Sequence, residues 1–239
     1  GSEMVTKATP DGYTLLANAS IHVINPSVYP DMRFDAIKDF TPITQLAQVP
    51  LVLVVPANSP IKSVKELVEY AKANPGKVNF GSAGSASAQH LAGESFKIAA
   101  GIQMQHIPYK GSAPALTDLA GGQLQLMFDS MPSATPMINS GKLRAIAVTT
   151  TKRFKNLPNV PTIAELGYPK YDFRSWFGII APAGTPRNII DKLNAEVIKA
   201  LKDPAVLERL DNYEIFGSTP DEFGAFIRNE IEKTAQIIK

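Results

Sequence analysis

Residues 78–96 read VNFGSAGSASAQHLAGESF: a short apolar strand pattern runs into a helical one through a turn made only of glycine, alanine and serine. A turn this bare exposes backbone N–H groups, and glycine lets a ligand approach them closely. The same grammar recurs in HIPY-KGSAP-ALTDLAGG and LQLMF-DSMPS-ATPMINSG. Each helix start leaves unpaired N–H groups and a partial positive charge. Three such starts aimed at one spot make an anion site that needs no arginine, with serines adding hydroxyl donors. Capping alone favours glycine and serine in any strand-to-helix turn, so one such turn means little; three in one stretch of chain weigh toward a ligand. Neither G-x-G-x-x-G nor a Gly-Lys-Ser/Thr phosphate loop is present, which favours a carboxylate over a nucleotide.

Groups for covalent or metal chemistry are thin. His22, His90 and His106 are the only histidines. His90 sits in the first turn of the helix after the bare loop, near Ser82, Ser85 and Ser87, and reads as a cap or rim residue. His106 alternates with Met104 along a strand and reads as a packed imidazole whose polar atom is satisfied. A Ser–His hydrolase would also need a G-x-S-x-G elbow and an orienting carboxylate, and neither is evident. No H-E-x-x-H or carboxylate cluster points to a metal, and no motif points to a cofactor. Asp129, directly after LQLMF, is either a helix cap or a ligand contact. Trp176 and Phe177 read as core and cleft wall at once.

The elements that position these groups alternate in type. Continuous apolar runs such as PLVLVVP suit strands covered on both faces, and YTLLAN, KVNF, MQHIPY, LQLMF, LRAIAVTT and WFGIIAP complete the strand set. Helices are expected over SVKELVEYAKANPG, where Ser63 and Glu66 form a capping box, and over the segment ending near Ala100. Further helices are APALTDLAGG with Pro114 in its first turn and the short PSATPMINSG. Near the end, TPRNIIDKLNAEVIKALKD takes Thr185 as cap, Pro186 as first helical residue, and Ile189, Ile190, Leu193, Val197 and Leu201 as its buried stripe. DPAVLERL is short, and TPDEFGAFIRNEIEKTAQIIK repeats the Thr-Pro start with Glu222 completing a box. This order points to α/β layering. The Pro-rich stretch KRFKNLPNVPTIAELGYPKYDF and the two long apolar strands divide the chain into lobe 1, residues 1–55 and 166–239, and lobe 2, residues 56–165.

Bulk composition narrows the partners. The chain has 239 residues, 44% hydrophobic, and no apolar run long enough to span a bilayer. A net charge of +2 supplies no strong field for nucleic acid or an acidic membrane. With no cysteine, disulfide scaffolds, thiolate metal sites and cysteine nucleophiles drop out. The opening GSEMVTKATPDGYTLL has no basic region followed by an apolar one, so no secretory leader is read there.

The segments PDGYTLL, NPSVYPDMRFDAIKDFTPIT, LVVPANSPIKSVKELVEYAKANPGKVNFGSAGSASAQHLAGESF, HIPYKGSAPALTDLAGGQLQLMFDSMPSATPMINSGKLRAIAVTTTKR, LPNVPTIAELG and SWFGIIAPAGTP closely resemble, in colinear order, the Bug (TctC-like) solute receptors of tripartite tricarboxylate transporters. The resemblance implies a two-lobed, type II periplasmic binding protein with two crossing hinge strands. Such a receptor traps a small carboxylate (di-, tri- or aromatic, or an acidic amino acid) between its lobes and delivers it to membrane permease subunits; a sensor feeding a signalling partner is the alternative. Carried over by position, the loop residues Ser82, Ala83, Gly84, Ser85 and Ser87 with His90 face the carboxylate. Tyr109, Gly111, Ser112 and Asp129 contribute from the next two turns, Ser20 from the ANAS turn of the other lobe, and Trp176 from the lobe junction. Family members carry a strand, a Pro/Gly-rich loop and a helix before the segment matching GSEMVTKATPDGYTLL. Without that unit, lobe 1 is expected to lack a core strand, and the chain to bind weakly, to be destabilised, or to self-associate through an open sheet edge.

Overall fold

The computed structural model describes residues 1–29 and 31–238. The chain divides into two compact units, one formed by Gly1–Gln48 and Trp176–Lys239, the other by Val49–Ser175. It passes from one to the other within two strands, β2 (Phe40–Pro56) and β7 (Arg174–Pro182).

The Val49–Ser175 unit holds α3 (Val64–Ala73), β3 (Asn79–Ser82), α4 (Ala88–Ala100), β4 (Gln105–Pro108), α5 (Ser112–Ala120), β5 (Leu126–Ser130), α6 (Met131–Asn139) and β6 (Leu143–Val148). Its strands run in the order β6-β2-β5-β3-β4. The sheet is mixed: β3 is parallel to β4 and β5, while β2 is antiparallel to β5 and β6. Alternation along each strand sorts the side chains to opposite faces. Leu51, Leu53, Phe80 and Phe128 meet Leu67, Ala92 and Phe96 on one face; Val52, Val54 and Met127 meet Leu116, Leu119, Met131 and Ala134 on the other. PLVLVVP is therefore a strand covered on both sides, as its unbroken apolar run requires. Gly93 is where α4 crosses the sheet most closely, since a Cβ there would lie 2.3 Å from the Phe80 ring.

The other unit holds α1 (Ser2–Thr6), β1 (Leu16–Ala19), α2 (Ile21–Val28), α7 (Arg187–Ala200), α8 (Pro204–Arg209), β8 (Glu214–Ile215) and α9 (Pro220–Ile238). Here β7 lies between β1 and β2, antiparallel to β1 in the register Ala19↔Phe177, and β8 pairs with the first half of β2. Trp176 is buried, edge-on to Phe223 at 5.4 Å and to Phe226 at 5.6 Å. Helix α2 lies against α9.

Several elements depart from sequence expectation. β2 is 17 residues long, reaching back from PLVLVVP to Phe40 through Pro42 and Pro50. Prolines that break a strand pattern in sequence are tolerated where no ladder N–H is needed. Helix α2 contains Pro26 and begins directly at the ANAS turn, so propensity conceals it, and burial of His22, Val23 and Ile24 fixes it. α1 and β8 are too short to show a period. In α7, Pro186 is the N-cap rather than the first helical residue, and Thr185 Oγ1 donates to the Pro182 carbonyl. Of the expected stripe only Ile190 and Leu201 are buried; Ile189, Leu193 and Val197 stay half-exposed. The Ser63 cap forms, with Glu66 N donating to Ser63 Oγ, but the Glu66 carboxylate takes the Lys62 N–H instead of that of Ser63. The Thr219–Glu222 box closes in both directions. The last residue of that terminal helical segment, Lys239, lies outside the described residues.

Candidate functional site

The three bare turns sit at the ends of β3, β4 and β5, and hydrogen bonds tie them together. Tyr109 N donates to the Ser82 carbonyl and Gly111 N to the Ala83 carbonyl, both at 3.1 Å, so the second turn hangs from the first. Gly111 has φ +110° and Gly84 φ +141°, conformations that need glycine. Ala86 is the one residue other than glycine at positive φ (+61°) among those described. That costs on the order of 1 kcal/mol for an alanine. It turns the Ala86 N–H onto His90 Nδ1 at 3.2 Å, while Ser87 Oγ caps α4 by accepting from His90 N.

Beneath the turns lies a carboxylate. Asp129 has no exposed surface. Its Oδ1 accepts from Ser112 Oγ at 2.7 Å and Gln89 Nε2 at 3.3 Å, and its Oδ2 from Ser133 Oγ at 2.5 Å. Ser112 opens α5, Gln89 lies in the first turn of α4, and Ser133 in the first turn of α6. All three helix starts therefore converge on one buried group, as three N-terminal dipoles that favour negative charge permit. Burial pushes the Asp129 carboxyl up, and the donors from Ser133, Ser112 and Gln89 pull against it. Asp129 is thus neither a cap nor a surface contact: it is enclosed and holds the turns in place.

On the α4 side of β3 and β4, the rings of His90 and His106 stack with centroids 3.8 Å apart, with Phe80 at 5.1 Å from His106. His106 Nε2 meets Ser82 Oγ at 2.6 Å, so its polar atom is satisfied as expected. Burial and then repulsion from His90 hold the His106 pKa down at about 4; His90 is lowered too, by burial. Both imidazoles are neutral at pH 7. The Ser82–His106 pair cannot act as a nucleophile and base. Ser82 is fully buried, its Oγ also contacts Gly84, and Asp129 bonds to serines and a glutamine, not to a histidine. Among the described residues no cluster of His, Asp and Glu could hold a metal.

Of the residues singled out from sequence, Ser82, Ala83, Gly84, Ser85, Ser87, His90, Gly111, Ser112 and Asp129 are drawn into this rim and its support. Tyr109 shares its backbone, but its hydroxyl donates to Asp118 Oδ2 at 2.8 Å. Ser20 and Trp176 belong to the other unit, where the Ser20 N–H donates to the Trp176 carbonyl. Trp176 there is core. Sequence reasoning missed Gln89, Ser130 and Ser133. The last two carry a signal, a Ser-x-x-Ser spacing across a helix start that reads as a local side-chain cap, whereas Gln89 carries none.

The strand-to-helix turns of this α/β sheet converge on one buried carboxylate, an arrangement that suits the binding of a small ligand. Comparison with known proteins supports that reading. The description of the tripartite tricarboxylate transporter family receptor matches residues 1–239, and the chain belongs to this family. It is 39% identical to a UPF0065 protein from the tcbD-tcbE intergenic region of Pseudomonas sp. (strain P51), and 36% identical to protein BugT of Bordetella pertussis (strain Tohama I / ATCC BAA-589 / NCTC 13251). Each alignment spans 100% of this chain and 72% or 74% of the relative. Among solved structures, R. palustris Rpa4515 with adipate superposes with a TM-score of 0.91 at 38% identity, over 99% of this chain and 81% of that one. MatC (Rpa3494) from Rhodopseudomonas palustris with bound malate gives 0.88 at 28% identity, over 100% and 83%. The fold class and the reading as a solute receptor, not an enzyme, both stand.

Proposed function

We propose that this chain is a periplasmic receptor that binds a small organic carboxylate at the rim formed by the 82–87 loop, the 109–112 turn and the start of α6, and passes it to the permease of a tripartite transporter. The observation that carries the reading is the convergence of three helix starts, with their dipoles, on the Asp129 network; the rim around it carries small side chains and one exposed cation, Lys110. Such a site holds an anion by helix dipoles and hydrogen bonds, with Lys110 alone to add a charge at its edge, so selectivity follows shape and donor–acceptor pattern. The carboxylates bound by Rpa4515 and MatC support the ligand class.

Thermal denaturation with a panel of di-, tri- and aromatic carboxylates and acidic amino acids tests this. A ligand at 100 times its Kd stabilises by about 2.7 kcal/mol, a shift of several degrees for a chain this size. Gly84→Val, which forces a β-branched residue into positive φ, should abolish that shift. A panel that moves the melting temperature nowhere removes the proposal. Delivery is tested by whether the chain restores carboxylate uptake to cells that have the permease but lack its receptor. Self-pairing through β1, which stands at the end of its sheet path beside the exposed Tyr13, would be seen as a dimer in light scattering; a monomer at high concentration excludes it.

A further inference from the structure

The proton positions around Asp129 say more about the ligand than the turns alone. Both oxygens of Asp129 are met by donors, Ser112 Oγ and Gln89 Nε2 at Oδ1 and Ser133 Oγ at Oδ2, the pattern of a carboxylate that only accepts, and in it the hydroxyl protons of Ser112 and Ser133 point inward. Ser133 Oγ also lies 2.6 Å from Ser130 Oγ. With the Ser133 proton committed to the charged acceptor, the stronger of the bonds open to it, Ser130 must be the donor in that pair. The same carboxylate orients the Gln89 amide with its nitrogen inward, toward Asp129 and Ser112. Ser112 and Ser130 are both half-buried, so each keeps surface at the rim. Where either hydroxyl reaches the rim it offers a lone pair; on Ser112 one of the two already accepts from Gln89 Nε2 at 3.4 Å. The serines of these two turns were expected to be donors; their protons are turned away, and the hydroxyls of Ser85 and Ser87 are the ones left to donate outward.

We infer that Asp129 is a specificity-determining positioning residue: by drawing the protons of Ser112, Ser133 and, through Ser133, Ser130 inward, it makes the serine hydroxyls of the rim acceptors, matched to a carboxylate that carries its own hydrogen-bond donor. This rests on the carboxylate-receptor reading above and sharpens its substrate class to hydroxy or amino acids. A ligand without a donor must bring a water to satisfy the same oxygens. The preference arises because an acceptor that loses water and gains no donor is left unpaired.

The test is calorimetric titration at pH 7.5 with succinate, malate and aspartate, which share a four-carbon dicarboxylate frame and differ in bearing no donor, a hydroxyl or an ammonium. Wild type is expected to bind malate, aspartate or both about tenfold more tightly than succinate, the size of one net hydrogen bond. Which of the two gains identifies the donor. In Asp129→Asn the amide nitrogen donates to one serine, that hydroxyl reverses, and the ratio falls toward one while the protein still melts cooperatively. Ser112→Ala, which deletes one acceptor and leaves the buried charge its other donors, should lower the ratio as well and carries the test where Asp129→Asn does not fold. Equal affinity of wild type for all three ligands overturns the inference and leaves the receptor reading intact. A preference that survives both substitutions overturns it too. Binding of none of the three, in a protein that no other carboxylate stabilises either, defeats the receptor reading instead.

Discussion

In the Val49–Ser175 unit each oxygen of the buried Asp129 has a donor, whereas in the other unit Trp176 Nε1, Gln45 Nε2 and Asn25 Oδ1 lie buried with no partner among the described residues. Their apolar surfaces contrast in the same way. The first unit packs both faces of its sheet with large buried clusters. The second leaves Met4, Tyr13, Ile21, Tyr29, Ile37, Phe177, Leu207 and Phe216 exposed, against Tyr70, Ile98 and Leu166 in the first; beside its buried Val23, Ile24, Trp176 and Phe223, its Ile43–Ala181–Ile190 cluster leans on half-exposed Leu15, Ile179 and Leu193. A buried polar atom without a partner costs about 1–3 kcal/mol, a cost these three atoms place on the second unit. The unit in which no described buried side-chain polar atom lacks a partner is the one that holds most of the candidate ligand contacts read from sequence. A backbone-based site needs turns held to a fraction of an ångström, and a satisfied network provides that.

The largest expected effect tests this contrast with like substitutions. Leu53→Ala removes a fully buried side chain from the second half of β2, in the large buried cluster on one face of the sheet, and should cost about 4 kcal/mol. Ile190→Ala removes a comparable volume from α7, where half-exposed neighbours can close in or admit water, and should cost about 2 kcal/mol. Denaturant unfolding measures both. Equal losses would mean that the second unit is as tightly packed as the first, and the contrast would be void.

The same contrast explains what was legible in the sequence. The PLVLVVP half of β2 shows in sequence because both its faces are buried, and α3 because its buried Val64, Leu67, Val68 and Ala71 alternate with exposed charges at helical spacing. α2 and the first half of β2 were hidden, since Pro26, Pro42 and Pro50 break the local pattern and only packing against the rest of the unit restores it. The convergence of the three turns could be read from their repeated grammar. The role of Asp129 could not: cap, ligand contact and buried tether all suit an acid at the end of a strand. What decides is Gln89, 40 residues earlier, and no local pattern announces a partner at that distance.

A second, smaller effect is pH dependence. His106 is held at about 4 by burial and the facing His90, with Glu94 opposing and Lys97 adding to the shift. In the unfolded chain it takes up a proton near pH 6.5. Folding stability is therefore intact above pH 6.5 and declines as the pH falls toward 4, because only the unfolded state binds the proton. His22, in the other unit, is also lowered by burial, but its hydrogen bond to the Ala36 carbonyl works against that shift. Melting temperature should fall across this window in wild type, and His106→Gln should flatten the fall more than His22→Gln does. The lowered carboxyls of Asp35, Glu165 and Glu222 begin to matter only below about pH 4.5, so the window is separable from theirs. A steeper dependence on His22 would move the acid-sensitive point to the other unit.

The smallest effect bears most directly on polar matching. Tyr171 donates its buried hydroxyl to the Ala92 carbonyl at 2.8 Å, so Tyr171→Phe deletes a made bond and should cost about 1 kcal/mol. Trp176→Phe deletes a donor that has no acceptor. Its gain from removing that orphan and its loss from the void left by the smaller ring oppose each other, so the net change should stay within about 1 kcal/mol and be smaller than one expects of a tryptophan in the core. Both variants are read from the same unfolding curves. A Trp176→Phe loss larger than the void of the smaller ring accounts for would mean that the ring N–H has a partner in solution, and that the second unit is better satisfied than its geometry shows.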